Sequence, residues 1–472
     1  MEKLTKRYGL LTAICMVVGT VIGSGVFFKA QSVLNATNGN MPLGIAAWII
    51  TGFIMIVCAL QFAVMTRKYE NINSVVGYAD ATCGKKYGYY LAWFMANIYY
   101  PGMTSVLAWA SARYFGVIFG WDMTGSNVMV FAAFFLVLSY AINALSPKLA
   151  GKFQVSATVI KLIPVCLMAV VGTIVGISNG TLTENFAGTV TEATGSVAGG
   201  GLFAAIVATV FAYEGWIVAT SINEELKNAK RNLPIAMVVG SLIVIFAYVL
   251  YYIGVAGGAS TDVIMQEGAI VAFKNIFGSV GGVFLNICIT ISCLGTLNGL
   301  TMGVTRGMYA IAERNEGPKP YMFQQIDRAT NMTTNSSIWG LLMCGVWLVY
   351  FYGANLSPEG GWFGVFNFDS SELPIVTIYA FYIPMIIMWM KKEKDMGVLT
   401  RFILPSGALL GCLFTIFAAV YAHGIVPFMA AKAEGKFSFP VLFYLIVFVV
   451  VLVIGYFCSS SFKEKRMKKK GE

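Results

Sequence analysis

The stretch VGTVIGSGVFF, residues 18–28, places three glycines and a serine inside an apolar run long enough to cross a bilayer. Each glycine weakens a helix interior by roughly 1 kcal/mol relative to alanine. A run beginning near Tyr8 and rising 1.5 Å per residue puts Gly23 about 20 Å along it, at the middle of the hydrocarbon. A helix interrupted at that depth needs a reason, and the rest of the chain supplies one.

The 472 residues are 58% hydrophobic and only 11% charged, against about 25% charged in soluble domains. Twelve segments reach the roughly 20 apolar residues that a membrane helix requires. They lie at approximately 10–34, 43–66, 87–119, 126–145, 153–177, 200–223, 235–257, 280–311, 337–355, 373–391, 402–425 and 439–460. Helices satisfy so much buried backbone, and the alternating ten-residue segments of a β-barrel are not present. The expectation is one all-helical membrane domain over residues 1–472.

With the N-terminus inside, most of the 32 Lys and Arg fall on the cytoplasmic side, including Lys3, Lys6, Arg67, Lys85, Lys148, Lys230, Arg314 and Lys391. The outer side receives Lys29, Lys274, Lys432 and Lys436. This asymmetry predicts an even number of crossings with both termini cytoplasmic, at the cell membrane. The net charge of +10 is then a topology signal, and nucleic-acid binding is excluded as its reading. The terminal KEKRMKKKGE reads as a solvated tail, contact with anionic lipid being the alternative. The nine cysteines lack metal spacing and read as small packing residues. The first run is too long for a cleavable signal and is expected to remain as the first span.

The sixth run travels in the opposite direction and reaches the same depth at TVFAYEGWIVATSINEE, residues 209–225, where Glu214 and Gly215 interrupt it. Two interrupted helices, five spans apart and oppositely directed, are the pattern of an inverted repeat with a transport site at the midplane. The repeats are expected at about 8–177 and 200–391, with extra helices at about 402–460 and the basic tail at 461–472. Glycines that merely allow close helix packing explain the first break. They do not explain a carboxylate at the same depth in the sixth span.

Unwinding at Gly23, Ser24 and Gly25 frees backbone N–H groups beside a half-helix N-terminus, which together attract a carboxylate. Unwinding in the sixth span exposes carbonyls at Phe211, Ala212 and Glu214, suited to an ammonium group. The pair describes a site for a zwitterion, an α-amino acid. Lys161 lies nine positions beyond Lys152, roughly 13 Å into the fifth span. It is a candidate to hold the first-span carbonyls as a sodium ion would, a purely structural lysine being the alternative. Glu214 is either a proton relay or partner of a substrate cation, or contributes only its carbonyl. Arg113 reads as structural near the outer interface. Arg306 reads as snorkelling at the inner end of its span, or as part of an inner gate with Asn223 to Glu225. The single histidine, His423, lies at an outer end, leaving none for a buried relay. Phe211, Tyr213 and Trp216 are the candidates to judge side-chain size.

GTVIGSGVFF, FAYEGW followed by NEELKNAKRNLPIA, and the lysine before proline in IKLIP resemble the amino acid, polyamine and organocation (APC) transporter superfamily. Within it they are similar to the L-amino acid transporter family, and to bacterial alanine-serine-cysteine or serine/threonine exchangers. The resemblance extends over most of residues 8–330 and fades in the last four spans. It implies a LeuT-like fold of five plus five inverted helices with two added, and sodium-independent exchange of small neutral L-amino acids such as alanine, serine, cysteine and threonine. It also implies carboxylate binding at Gly23, Ser24 and Gly25, ammonium-binding carbonyls at Val21, Phe211 and Glu214, a gating ring at Phe211 and a coupling lysine at Lys161. No cofactor is implied. The second-to-third loop, RKYENINSVVGYADATCGKKYG, departs from relatives in lacking a glycine pair. The third-to-fourth loop, GWDMTGSNV, lacks the cysteine that animal relatives use to link a glycoprotein, so no disulfide-linked heavy subunit is expected. Proton-coupled uptake of amino acids or polyamines through Lys161 or Glu214 is the alternative within transport. A membrane enzyme or a receptor-like sensor is the distant alternative, against which stand the absence of a His, Asp or Cys cluster able to support catalysis and of an appended soluble domain.

Overall fold

The computed structural model describes residues 9–69, 74–145, 147–187, 197–217, 226–327, 332–357 and 361–459. The basic tail and the acidic Asn223–Glu225 segment lie outside the described residues. Helices carry the regular structure of what is described, apart from one bridge position at Leu226. Nine of them are long and apolar enough to span a membrane, or ten spans if a bent pair at the N-terminus counts as one. Large apolar side chains such as Val130, Phe134, Ile174, Phe246, Leu410 and Val450 are exposed, the arrangement of a protein whose outer solvent is hydrocarbon.

The difference from the twelve expected runs lies in the third and the sixth. The third is helical but divided, Lys85–Phe94, a π-turn at Met95–Tyr99, then Tyr100–Val117. Pro101 has no N–H for the Asn97 carbonyl one turn back, and that carbonyl accepts from Trp347 Nε1 at 2.9 Å instead. The sixth is described as a shorter helix, Val197–Tyr213, because it stops at its expected break. Short helices at Val75–Cys83 and Thr261–Glu267 occupy segments that read as loops. The helix Ala269–Ala312 is bent at Gly278, whose φ of 73° is left-handed.

Contacts divide the chain into two compact units. The first comprises Met1–Cys83, Val159–Ile289 and Ile375–Val426. It contains α1 (Leu10–Val21), α2 (Gly25–Ala36), α3 (Met41–Lys68), α4 (Val197–Tyr213) and α5 (Ala229–Ala256). Asn40 caps α3 by accepting from the Leu43 N–H at 3.0 Å. Lipid offers helices no hydrophobic reward for meeting, so close backbone approach through small residues decides the packing. Gly254 of α5 and Gly257 just beyond its end accordingly lie against the backbone of Met168 and Gly172, where a Cβ would collide with carbonyl oxygens. In the same unit Trp48 meets Tyr213 and Tyr248 edge-on in a buried cluster. Tyr213 donates to the Trp48 carbonyl at 2.9 Å, and Thr51 meets Thr209 at 2.7 Å.

The second unit comprises Gly84–Thr158, Thr290–Pro374 and Pro427–Glu472. Side-chain hydrogen bonds join its helices: Ser105 Oγ to the Cys344 carbonyl, Ser139 Oγ to Thr301, and Asn143 Nδ2 to Asn298 Oδ1, each 2.9 Å. Polar groups inside a membrane bundle are costly unless paired in this way.

Candidate functional site

The first unit brings both expected breaks together. α1 ends at Val21, Ile22 takes an extended conformation with ψ 99°, and α2 starts at Gly25 after a bend of 51°. Val21, Gly23, Ser24 and Gly25 are all buried. The N–H groups of Gly23, Ser24 and Gly25 stand at or ahead of the first turn of α2, where a helix has no acceptor of its own and a partial positive charge gathers. Gly25 also serves packing, since a Cβ there would lie 2.7 Å from Ala212 Cα and 3.2 Å from the Phe211 ring.

α4 ends at Tyr213, two residues before Gly215, whose φ of +112° favours glycine. A Cβ on Gly215 would also stand 2.7 Å from the Thr20 carbonyl oxygen, so the two breaks touch backbone to backbone. The Phe211 carbonyl, an expected ammonium acceptor, accepts from the Glu214 N–H at 3.3 Å. Ala212 is buried and Glu214 half-buried. A carbonyl has two lone pairs, so this bond leaves Phe211 with acceptor capacity.

Tyr248 of α5, which the sequence did not single out, sits at this junction. Its hydroxyl lies 2.9 Å from the Val21 carbonyl and 3.0 Å from the Ala212 carbonyl. One residue thereby touches the C-terminal end of α1 and the C-terminal end of α4. A tyrosine in an apolar helix reads as core, and no local signal distinguishes this one.

Lys161 comes to the same place from another helix. Pro164 removes the N–H that would serve the Ile160 carbonyl, and the helix Pro147–Ile160 ends there, with Lys161 between it and Leu162–Leu167. The side chain is 5% exposed, and Nζ donates to the Gly19 carbonyl at 2.5 Å. A cation at the C-terminal end of α1 complements the helix dipole there.

Phe211 is buried and meets Phe28 edge-on, the ring centroids 5.1 Å apart. Tyr213 and Trp216, expected beside it as judges of size, turn into the core instead. Tyr213 packs on Trp48 and Tyr248, and Trp216 on Phe62 and Tyr382. Lys29, which the sequence counts only as an outer-side charge, is 4% exposed and lies over the Phe211 ring.

Elsewhere, Arg113 stacks on Trp109 at 5.4 Å and donates to Met123 Sδ, consistent with a structural role. Arg306 is exposed, and His423 lies in the π-turn Tyr421–Ile425. Among the described residues no three His, Cys, Asp or Glu side chains gather as a metal site. All nine cysteines are free thiols.

The amino acid permease family matches residues 8–462. The serine/threonine exchanger SteT of Bacillus subtilis is 31% identical over 67% of this chain and 70% of its own length. The b(0,+)-type amino acid transporter 1 of Oryctolagus cuniculus is 26% identical, over 69% of this chain and 67% of its own. The large neutral amino acids transporter small subunit 2 of Homo sapiens is 28% identical over 69% of this chain and 61% of its own. Among solved structures, MhsT in complex with L-phenylalanine superposes with a TM-score of 0.50 at 16% identity, covering 88% of this chain and all of that one. That likeness concerns the fold, which is LeuT-like. With its broken first helix and a family match over nearly its whole length, the chain belongs to the amino acid permease family of the APC superfamily, whose members are membrane transporters and not enzymes.

Proposed function

We propose that this permease is a sodium-independent exchanger of small neutral L-amino acids, of the alanine, serine, cysteine and threonine class, working by alternating access. In this reading the substrate carboxylate binds the N–H groups of Gly23, Ser24 and Gly25. Its ammonium binds the carbonyls of Val21, Phe211, Ala212 and Glu214, and Phe211 closes over it. The chain forms twelve spans as two inverted repeats, about 8–177 and 200–391, with two helices added. It lies in the cell membrane with both termini cytoplasmic and works without a disulfide-linked heavy subunit. The cysteine-free GWDMTGSNV loop and the Lys and Arg asymmetry support the last two points.

The observation that carries the reading is the bond from Lys161 Nζ to the Gly19 carbonyl. A fixed ammonium at the end of α1 supplies the positive charge that a bound sodium ion would otherwise bring to those carbonyls. The serine/threonine exchange in the printed name of the 31% identical relative supports the substrate class. The test is efflux of labelled serine from proteoliposomes, with and without external amino acids, in sodium and in potassium. Efflux stimulated by external alanine, serine or threonine and indifferent to the cation is expected. Uptake driven by a pH gradient without trans-stimulation points to proton coupling instead.

A further inference from the structure

Lys29 is a charged group beside the proposed gate that the reading above leaves without a role. It lies four residues beyond Gly25 in α2, hence on the same helix face and about 6 Å further along the axis. Gly25 is at the amide end of the break and closes against Ala212 and Phe211. The Lys29 ammonium lies 5.1 Å from the centroid of the Phe211 ring and 5.6 Å from that of Phe28. At 4% exposure it is not a snorkelling loop charge. Its stem and head are held within the bundle, against the ring that flanks the first break.

We propose that Lys29 sets the charge selectivity of the site, excluding amino acids whose side chain carries a positive charge while admitting neutral and acidic ones of the same size. The inference rests on the reading that an amino acid is held at the two breaks. A substrate whose carboxylate is fixed at Gly23–Gly25 projects its side chain into the surroundings of Phe211, one helical turn from Lys29. Shape cannot separate a cationic side chain from a neutral one of equal length. A buried ammonium can, because like charges several ångströms apart in a low-dielectric interior repel far more strongly than in water. The cation–π contact with Phe211 fixes the ammonium beside that ring. Charge reading and gating therefore involve the same ring.

The test uses side chains of matched length and different charge as competitors of labelled serine exchange: 2,4-diaminobutyrate (cationic), homoserine (neutral) and aspartate (anionic). In the wild type diaminobutyrate is expected to compete about ten-fold or more less well than homoserine. The ratio is read within each variant. Lys29→Gln and Lys29→Met should bring it toward one, and Lys29→Arg should keep it. Diaminobutyrate matching homoserine in the wild type overturns the proposal without any variant, as does full exclusion persisting in Lys29→Gln. The same ranking, read as ligand-induced thermal stabilisation of purified protein, separates the two claims. Stabilisation ranked by charge without serine exchange sinks the exchange reading alone. Exchange with an unchanged ranking in Lys29→Gln sinks Lys29 alone. No stabilisation by homoserine together with no exchange overturns both.

Discussion

The Tyr248 hydroxyl stands 2.9 Å from the Val21 carbonyl oxygen, joining α5 to the last residue of α1 across 227 positions of sequence. The same oxygen lies 3.0 Å from the Ala212 carbonyl. The hydroxyl has one proton and faces two acceptors, so that proton is shared between the ends of both interrupted helices. A tyrosine at this point sets the spacing of the two breaks as much as it satisfies either of them.

Tyr248→Phe keeps the ring and removes the donor. Leaving a buried carbonyl unsatisfied costs about 1–3 kcal/mol, and both breaks lose a common anchor. The expected result is a lower melting temperature for the purified protein together with a raised KM for serine. A variant with wild-type melting and wild-type KM would show that the hydroxyl holds nothing that matters.

Lys161→Met preserves length and removes the charge opposite the Gly19 carbonyl. Hydrogen bonds to charged groups are worth about 1.5–3 kcal/mol, so exchange should slow by roughly ten-fold or more while the protein still inserts. Wild-type exchange should be the same in sodium as in potassium. Strong sodium dependence of the wild type contradicts the idea that the ammonium stands in for an ion.

Gly25→Ala tests the junction by bulk. The added Cβ would meet Ala212 Cα at 2.7 Å, which forces α2 and α4 apart at a cost of about 1–3 kcal/mol. Serine binding should fall, because the amides of the first break move away from the carbonyls of the second. Gly254→Ala, whose Cβ would run into the Met168 carbonyl away from the breaks, should reduce yield and thermal stability instead. Unchanged serine affinity in Gly25→Ala would remove this junction from the binding site.

At the end of α3, Lys68 is paired with Asp395 and stands 3.4 Å from Glu393, which also accepts from the Tyr69 hydroxyl at 2.7 Å. The bond from Lys68 holds the Asp395 carboxyl below the usual carboxylate range. Burial, then the bond to Glu393, pushes the Tyr69 hydroxyl up. A carboxylate with a depressed folded-state pKa stabilises the fold above its unfolded value, about 3.9, and loses that contribution as pH falls through the lower folded value. Melting temperatures of wild type and Asp395→Asn should therefore differ slightly near neutral pH and converge below about pH 4. The side chain is well exposed, so high salt should shrink the difference. A gap that persists in acid would assign the effect to something other than ionisation.

Much of the site was legible because its signals are local. Glycines at Gly23 and Gly25 inside an apolar run, and Glu214-Gly215 at matching depth, mark breaks by helix propensity and hydropathy alone, and the helices end there at Val21 and Tyr213. Lys161 was conspicuous by its depth beyond Lys152, and Pro164 by its chemistry. What these residues meet was not legible. Gly19 is 142 positions from Lys161, and a segment's hydropathy carries no information about which carbonyl its lysine reaches. Tyr248 looked like any core aromatic, Tyr213 and Trp216 like pocket walls, and Lys29 like an outer-side charge. Only the packing of α1, α2, α4 and α5 turned the first into a clamp and set the ammonium over Phe211, while rings of α3 and Tyr382 enclosed the next two in the core. The sequence by itself determined where the backbone must break, because glycine, proline and buried charge act within one helical turn. The tertiary structure decided what faces each break, because that depends on the close approach of helices far apart in the chain.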